Sequence, residues 1–287
     1  MSETPRHEFG RLPTVAAGLG YMFCRPKMVA GFCVFVLAGL GWIYVALLSA
    51  PIRGTIAIDT PFLQALCPPS LDVSWSVGNF SIIVSMWGAM TLAMMLPTAA
   101  PMIMTYAGIA DTAARKDEII VSPFVLAGGY MTIWLGFAVL AALVQVTLIQ
   151  ARLLDTGMAP ASGFFSGAVF IGAGLYQFSK FKHSCLRQCQ RPFPFFFVNW
   201  ATTPAGVFRL GLRQGLFCLG CCWAMMLVMF AFGVMNVIWM TGLGMIMTAE
   251  KLLVGRRFAY AIGLALWAAG GSIMLAATTG HWPALAN

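Results

Sequence analysis

Cys218, Cys221 and Cys222 fall within five positions of one another and carry the most specific chemical signal in the sequence. On a helix, spacings of three and four bring side chains to one face, so these thiols converge. Met225, Met226 and Met229 extend the stripe at offsets 7, 8 and 11 from Cys218. A second thiol pair, Cys185 and Cys189, is four residues apart in a segment that also holds His183. Thiolates at these spacings suit a soft ion, Cu(I) or Zn(II). Lys180, Lys182, Arg187 and Arg191 surround the pair and favour the thiolate. A third sulfur set, Met90 and Met94 with Met86 before them and Met95 beside, repeats at intervals of four. Pro97 and Pro101 follow it, and each removes a backbone donor.

Two other readings compete for the same residues. Cys packs as a small hydrophobe and Met as a flexible filler, with no function attached. Cys218 and Cys221, two residues apart, also fit a thiol-disulfide relay. No acid, base or nucleophile arrangement supports enzymatic turnover, because the apolar runs hold no charged residue or His.

The elements that must position these sulfurs follow from composition. The chain has 287 residues, 60% hydrophobic and 9% charged, with mean hydropathy +0.85. About a quarter of a soluble domain's residues are charged, so a soluble globular enzyme is excluded. Disorder is excluded by the same hydrophobicity. The apolar runs are too long and continuous for an outer-membrane barrel, so the fold class is all-α, a polytopic membrane protein. Six runs could each cross a bilayer: Met28–Ala50, Val77–Tyr106, Ile119–Gln150, Gly163–Ser179, Leu216–Met247 and Phe258–Thr279. They form a single membrane domain over 1–287, with no linker or low-complexity stretch. The first run, preceded by Arg25, Pro26 and Lys27, is too long for a cleaved leader and reads as a signal anchor.

The net charge of +8 is a topology signal here rather than a mark of nucleic-acid binding. With six transmembrane helices and the N-terminus inside, the inner segments carry twelve Lys and Arg and the outer ones five, which favours both termini in the cytoplasm. On this reading Cys185, Cys189, Cys218, Cys221 and Cys222 gather at the inner face, where the reducing cytoplasm disfavours disulfides. Glu250 and Lys251 then close the fifth helix at the outer face, either as a functional pair or, the favoured reading, as a surface ion pair worth little.

Several of these residues recur in an order that resembles a bacterial family of unknown function, described as predicted metal-binding integral membrane proteins. Trp87, Met90, Met94, Met95 and Pro97 come first, then Tyr176 and Gln177, then Lys182, Cys185, Leu186, Cys189 and Pro192. Gly211, Gly215, Cys218, Gly220, Cys221, Cys222, Trp223 and Met226 follow, then Gly233, Met235 and Asn236, and finally Glu250 and Lys251. The resemblance covers about residues 80 to 251 and implies a membrane fold and a metal. His183 is not part of the pattern.

The sequence therefore points to a bacterial inner-membrane protein that binds or passes a soft transition metal, copper as Cu(I) first and zinc as the alternative. Cys185, Cys189, Cys218, Cys221 and Cys222 would form an inner thiolate site. Met225, Met226 and Met229, facing Met90 and Met94, would offer weaker thioether steps across the bilayer. Expected partners are the lipid bilayer, and a metallochaperone or other membrane subunits. The rival reading is a structural or accessory subunit of a larger membrane complex. In it the nine Trp serve as interfacial and packing anchors, and Gly128, Gly129, Gly167, Gly172 and Gly174 allow close helix contacts.

Overall fold

The computed structural model describes residues 26–49, 77–114, 121–154, 160–233, 237–253 and 255–279. Helices account for nearly all of them, and no strand occurs among the described residues. In chain order they are α1 (Pro26–Ser49), α2 (Val77–Ala114), α3 (Pro123–Gln150), α4 (Gly163–Gln177), α5 (Lys180–Gln190) and α6 (Pro192–Val198), then α7 (Pro204–Leu227), α8 (Met229–Phe232), α9 (Val237–Leu252) and α10 (Arg257–Thr278). Cys24, Cys67, His7, His281, Met235 and Asn236 lie outside the described residues, as does Ala50 at the end of the run read as a signal anchor.

Among the described residues, four stretches are long and apolar enough to cross a membrane: Val77–Ala113, Pro123–Gln150, Pro204–Phe232 and Arg257–Thr278. Two of them, α3 and α10, turn much of their apolar surface outward, with Leu135, Leu140, Leu264, Trp267 and Leu275 all at least half exposed. The core lies between α2, α3, α7 and α9. Trp87 and Trp134 are completely buried there, so these two Trp pack the core rather than anchor an interface.

Local sequence explains where the helices begin. Ser122 caps α3 and Ser162 caps α4, each accepting from a backbone N–H of the first turn. Thr203 caps α7 through Gly206 N, with Pro204 at the first helical position, where a missing donor does no harm. α2 runs on through both Pro97 and Pro101 to Ala114.

α1 and α2 are antiparallel, since Gly31 faces Met104 and Tyr44 bonds Ser85. α2 and α3 are antiparallel too, with Trp87 bonded to Gln145 at one end and Tyr106 to the Val121 carbonyl at the other. α3 and α7 are parallel and touch backbone to backbone. A Cβ on Gly129 would lie 2.2 Å from the Phe208 oxygen, and one on Gly211 2.2 Å from that of Leu126. Small residues permit that approach. Gly167 and Gly174 do the same between α4 and the antiparallel α10, whereas Gly128 and Gly172 face open space.

The expected single run from Leu216 to Met247 is broken. α8 ends at Gly233, whose φ of 91° is one that side chains with a Cβ rarely adopt. α9 then folds back: Trp239 stacks on Phe232 near the turn, and Lys251 at its far end returns to the level of Cys218. This reversal changes the expected topology. α1 begins at the same end of the bundle as the thiols, and α10, running opposite to α4, finishes at the other end. The described helices therefore start and stop at opposite ends, because a run read as one crossing makes two passes.

Candidate metal centre

α7 presents Cys218, Cys221 and Cys222 on one buried face, and their sulfurs all lie within 4.8 Å of one another. Two ligands held about 2.3 Å from one ion stand at most about 4.6 Å apart, close to the spacing of these sulfurs. The Cys221 and Cys222 sulfurs are 3.3 Å apart, and the Cys221 thiol donates to the Cys218 carbonyl at 3.1 Å. Cys189 of α5 reaches toward the same group, near enough to interact with Cys218 and Cys221. Its contact with Cys218, reinforced by burial, pushes its thiol well above the ordinary value.

Cys185 does not join them. Its sulfur packs against Gly220, 2.7 Å from where a Cβ would stand, and burial raises its thiol above the usual range. On α7, position 220 points away from positions 218 and 222, so a neighbour that fills the space over Gly220 faces the other side of the helix. The sequence reading placed both thiols of the pair in one site; α5 offers one to the cluster and spends the other on packing. His183 also stands apart. Its ring packs edge-on against Tyr260 with a centroid distance of 5.1 Å, and Nε2 is buried without a partner. Burial, then Arg256, Lys182 and Arg187, lowers its basicity, so the imidazole is neutral.

Spacing rules passed over the residues that surround Cys218. The Lys251 ammonium donates to the Cys218 sulfur at 3.0 Å and to Thr98 Oγ1 at 2.6 Å. The Tyr130 hydroxyl lies 3.0 Å from the same sulfur and donates to the Met95 carbonyl at 3.1 Å. Glu250 and Lys251 are thus not an outer surface pair: both are buried, and each serves a different partner. Glu250 accepts two bonds from Lys182, at 2.8 and 3.0 Å. Lys182 also donates to Gln177 Oε1, and Gln177 Nε2 donates to the Met225 sulfur at 3.0 Å. The Tyr176 hydroxyl donates to the Gly220 carbonyl. One polar run therefore links α4, α5, α7 and α9 around the thiols. A buried charge persists only when paired, and both buried lysines here have partners.

The five methionines expected as thioether ligands, Met90, Met94, Met225, Met226 and Met229, are all buried, with different neighbours. Met225 is an acceptor in the polar run. Met94 packs its side chain on Gly244 of α9, with its methyl 3.7 Å from the position of a Cβ there. Met90, Met226 and Met229 lie within the continuous apolar core. A signal for the missed residues was present in the sequence: Gln177, Lys182, Glu250 and Lys251 flank long uncharged runs and belong to the recurring motif set. A charged group beside a span is a functional candidate by its position alone.

Residues 84–273, about two thirds of the chain, match the model of a family described as copper chaperone, PpoB2. That stretch contains the thiol cluster, Tyr130, the Lys182–Glu250 pair and Lys251. No curated protein and no solved structure matches the chain.

Proposed function

Because the chain belongs to the copper chaperone family, we propose that it is a membrane-embedded carrier that takes Cu(I) as cargo on Cys218, Cys221 and Cys222. The observation that carries this reading is the buried three-thiol cluster with an ammonium at 3.0 Å from one of its sulfurs. Soft thiolates select Cu(I) among available ions. Thiolate ligands outnumber the single charge of Cu(I), and Lys251 supplies the compensating positive charge inside the protein. Lys251 also fixes the Cys218 sulfur in place, as partners outside a metal's own ligands commonly do.

Cys189 is the exchangeable member of the site. It comes from a different helix, near the end of the bundle where α1 begins, and is less enclosed than the α7 thiols. A ligand that enters from another element can pass an ion to an incoming partner by stepwise thiol exchange. With Cys189 the site offers four thiols, a number that also suits zinc, so the choice of copper rests on the family match.

The outward apolar faces of α3 and α10 support a bilayer setting. On this reading the chain makes seven passes, with α9 a short one, and α10 finishes opposite the thiol end. Basic residues Arg187, Arg191, Arg209, Arg213, Arg256 and Arg257 all fall at the thiol end, which favours the cytoplasmic side of a bacterial inner membrane for it. The buried thioethers of Met90, Met94, Met226 and Met229 would provide weak steps if copper continues inward.

Copper content of the purified full-length protein, beside C218S and C222S, tests the reading. Wild type is expected to retain Cu(I) after desalting and each variant to lose most of it. Equal, near-zero copper in all three would overturn it, and stoichiometric zinc in wild type would replace the cargo.

A further inference from the structure

The geometry points to the outer face of α5 and α6 as a seat for an anionic phospholipid headgroup, an inference that rests on the membrane reading above. α5 is amphipathic. Lys182, His183, Cys185 and Leu186 face the protein, while Ser184, Arg187, Gln188 and Arg191 are exposed. Those four, with Pro194 of α6, line an open cavity of about 410 Å³. Two guanidinium groups, an amide and a hydroxyl converge there, and guanidinium pairs with phosphate through two parallel hydrogen bonds.

Charge complementarity selects an anion. Residues 156–249 contain no Asp or Glu, and the next carboxylate, Glu250, is already held by Lys182. The adjoining surface of α6 is apolar. Phe193, Phe197 and Val198 are 58%, 79% and 80% exposed, and the two Phe rings stack 6.3 Å apart. Helices of this composition, basic on one side and aromatic on the other, lie in the interfacial layer of a bilayer. The two helices join α4 to α7, so the chain itself holds them against the spans. A lipid satisfies both halves of the surface, with phosphate at Arg187 and Arg191 and acyl chains along Phe193 and Phe197. A soluble acidic partner would leave the rings wet or need an apolar patch of its own.

The full-length protein, extracted in detergent and analysed by native mass spectrometry with added phosphatidylglycerol or phosphatidylcholine, tests the seat. Wild type is expected to retain phosphatidylglycerol preferentially. The exposed pair R187Q/R191Q is expected to cut that retention at least about tenfold, with each single change giving a smaller loss. Equal retention of the two lipids by wild type, or undiminished phosphatidylglycerol on the double variant, would overturn the proposal. So would loss of a co-purifying acidic protein from the double variant with lipid retention intact, which assigns the face to that protein. A chain recovered from the soluble fraction without detergent would instead refute the membrane reading beneath it.

Discussion

The sulfur stripe of α7 and that of α2 are built by the same spacing, and their surroundings differ completely. Around Cys218 stand an ammonium, a phenol and two more thiols, in a pocket sealed from solvent. Around Met94 stands the backbone of α9 at Gly244, with apolar side chains beyond. Spacing brings sulfurs to one face; what faces them decides whether they can hold charge. A thioether is neutral and needs no counter-ion, so Met can be buried anywhere. A thiolate needs one, and the fold delivers Lys251 to it from 33 residues downstream.

Four substitutions sharpen or break that contrast. The largest effect is expected from Lys251→Met, which removes the cation and keeps the volume. Copper retained per chain should fall at least about tenfold, as after loss of a ligand-supporting partner, with K251R retaining more. Retention at the wild-type level in K251M would make the ammonium a bystander.

Glu250→Gln comes next. It leaves the Lys182 ammonium buried without its carboxylate, and breaking such a pair costs about 3–5 kcal/mol. Thermal unfolding in detergent should shift down sharply, and the double change E250Q/K182M should recover much of the loss. If the single change alone is silent, the pair does not hold α9 to α5.

Much of this contrast was visible in the residues before any coordinates. The all-helical class followed from uncharged runs of twenty or more residues, and the α7 face from the offsets of Cys218, Cys221 and Cys222. Two things were hidden. The reversal after Phe232 leaves almost no trace in hydropathy, because both sides of the break are apolar and only Gly233 marks it. Adding up apolar length therefore merged two passes into one and sent Glu250 and Lys251 to the wrong end. Tyr130 and Thr98 were hidden for a different reason. They sit on α3 and α2, in the interior of long apolar runs, and only the close backbone contact at Gly129 and Gly211 brings the phenol to the sulfur. Cys185 and Cys189 carried identical signals, yet packing against Gly220 separates them.

A smaller effect is expected from Met225→Leu. It keeps the apolar volume and removes the acceptor of the Gln177 amide, leaving a buried donor unsatisfied at about 1–3 kcal/mol. Stability measured by unfolding should drop by that order while copper content holds. A full loss of copper would instead move Met225 into the coordination of the ion.

The smallest is Met94→Leu, a volume-conserving change that should alter stability by less than about 1.5 kcal/mol and leave bound copper untouched. A clear fall in copper would make Met94 a ligand of the bound ion rather than a transit step.

Glu250 and Lys251 are neighbours in sequence, so on α9 their side chains diverge by roughly 100° about the axis. One is bonded into α5 and the other into α7 and α2. The last turn of α9 is therefore keyed in azimuth as well as in height. A slide or a twist that freed one residue would tear out its neighbour, and the two ruptures would have to occur together. The hairpin behaves as a bolt thrown into two sockets.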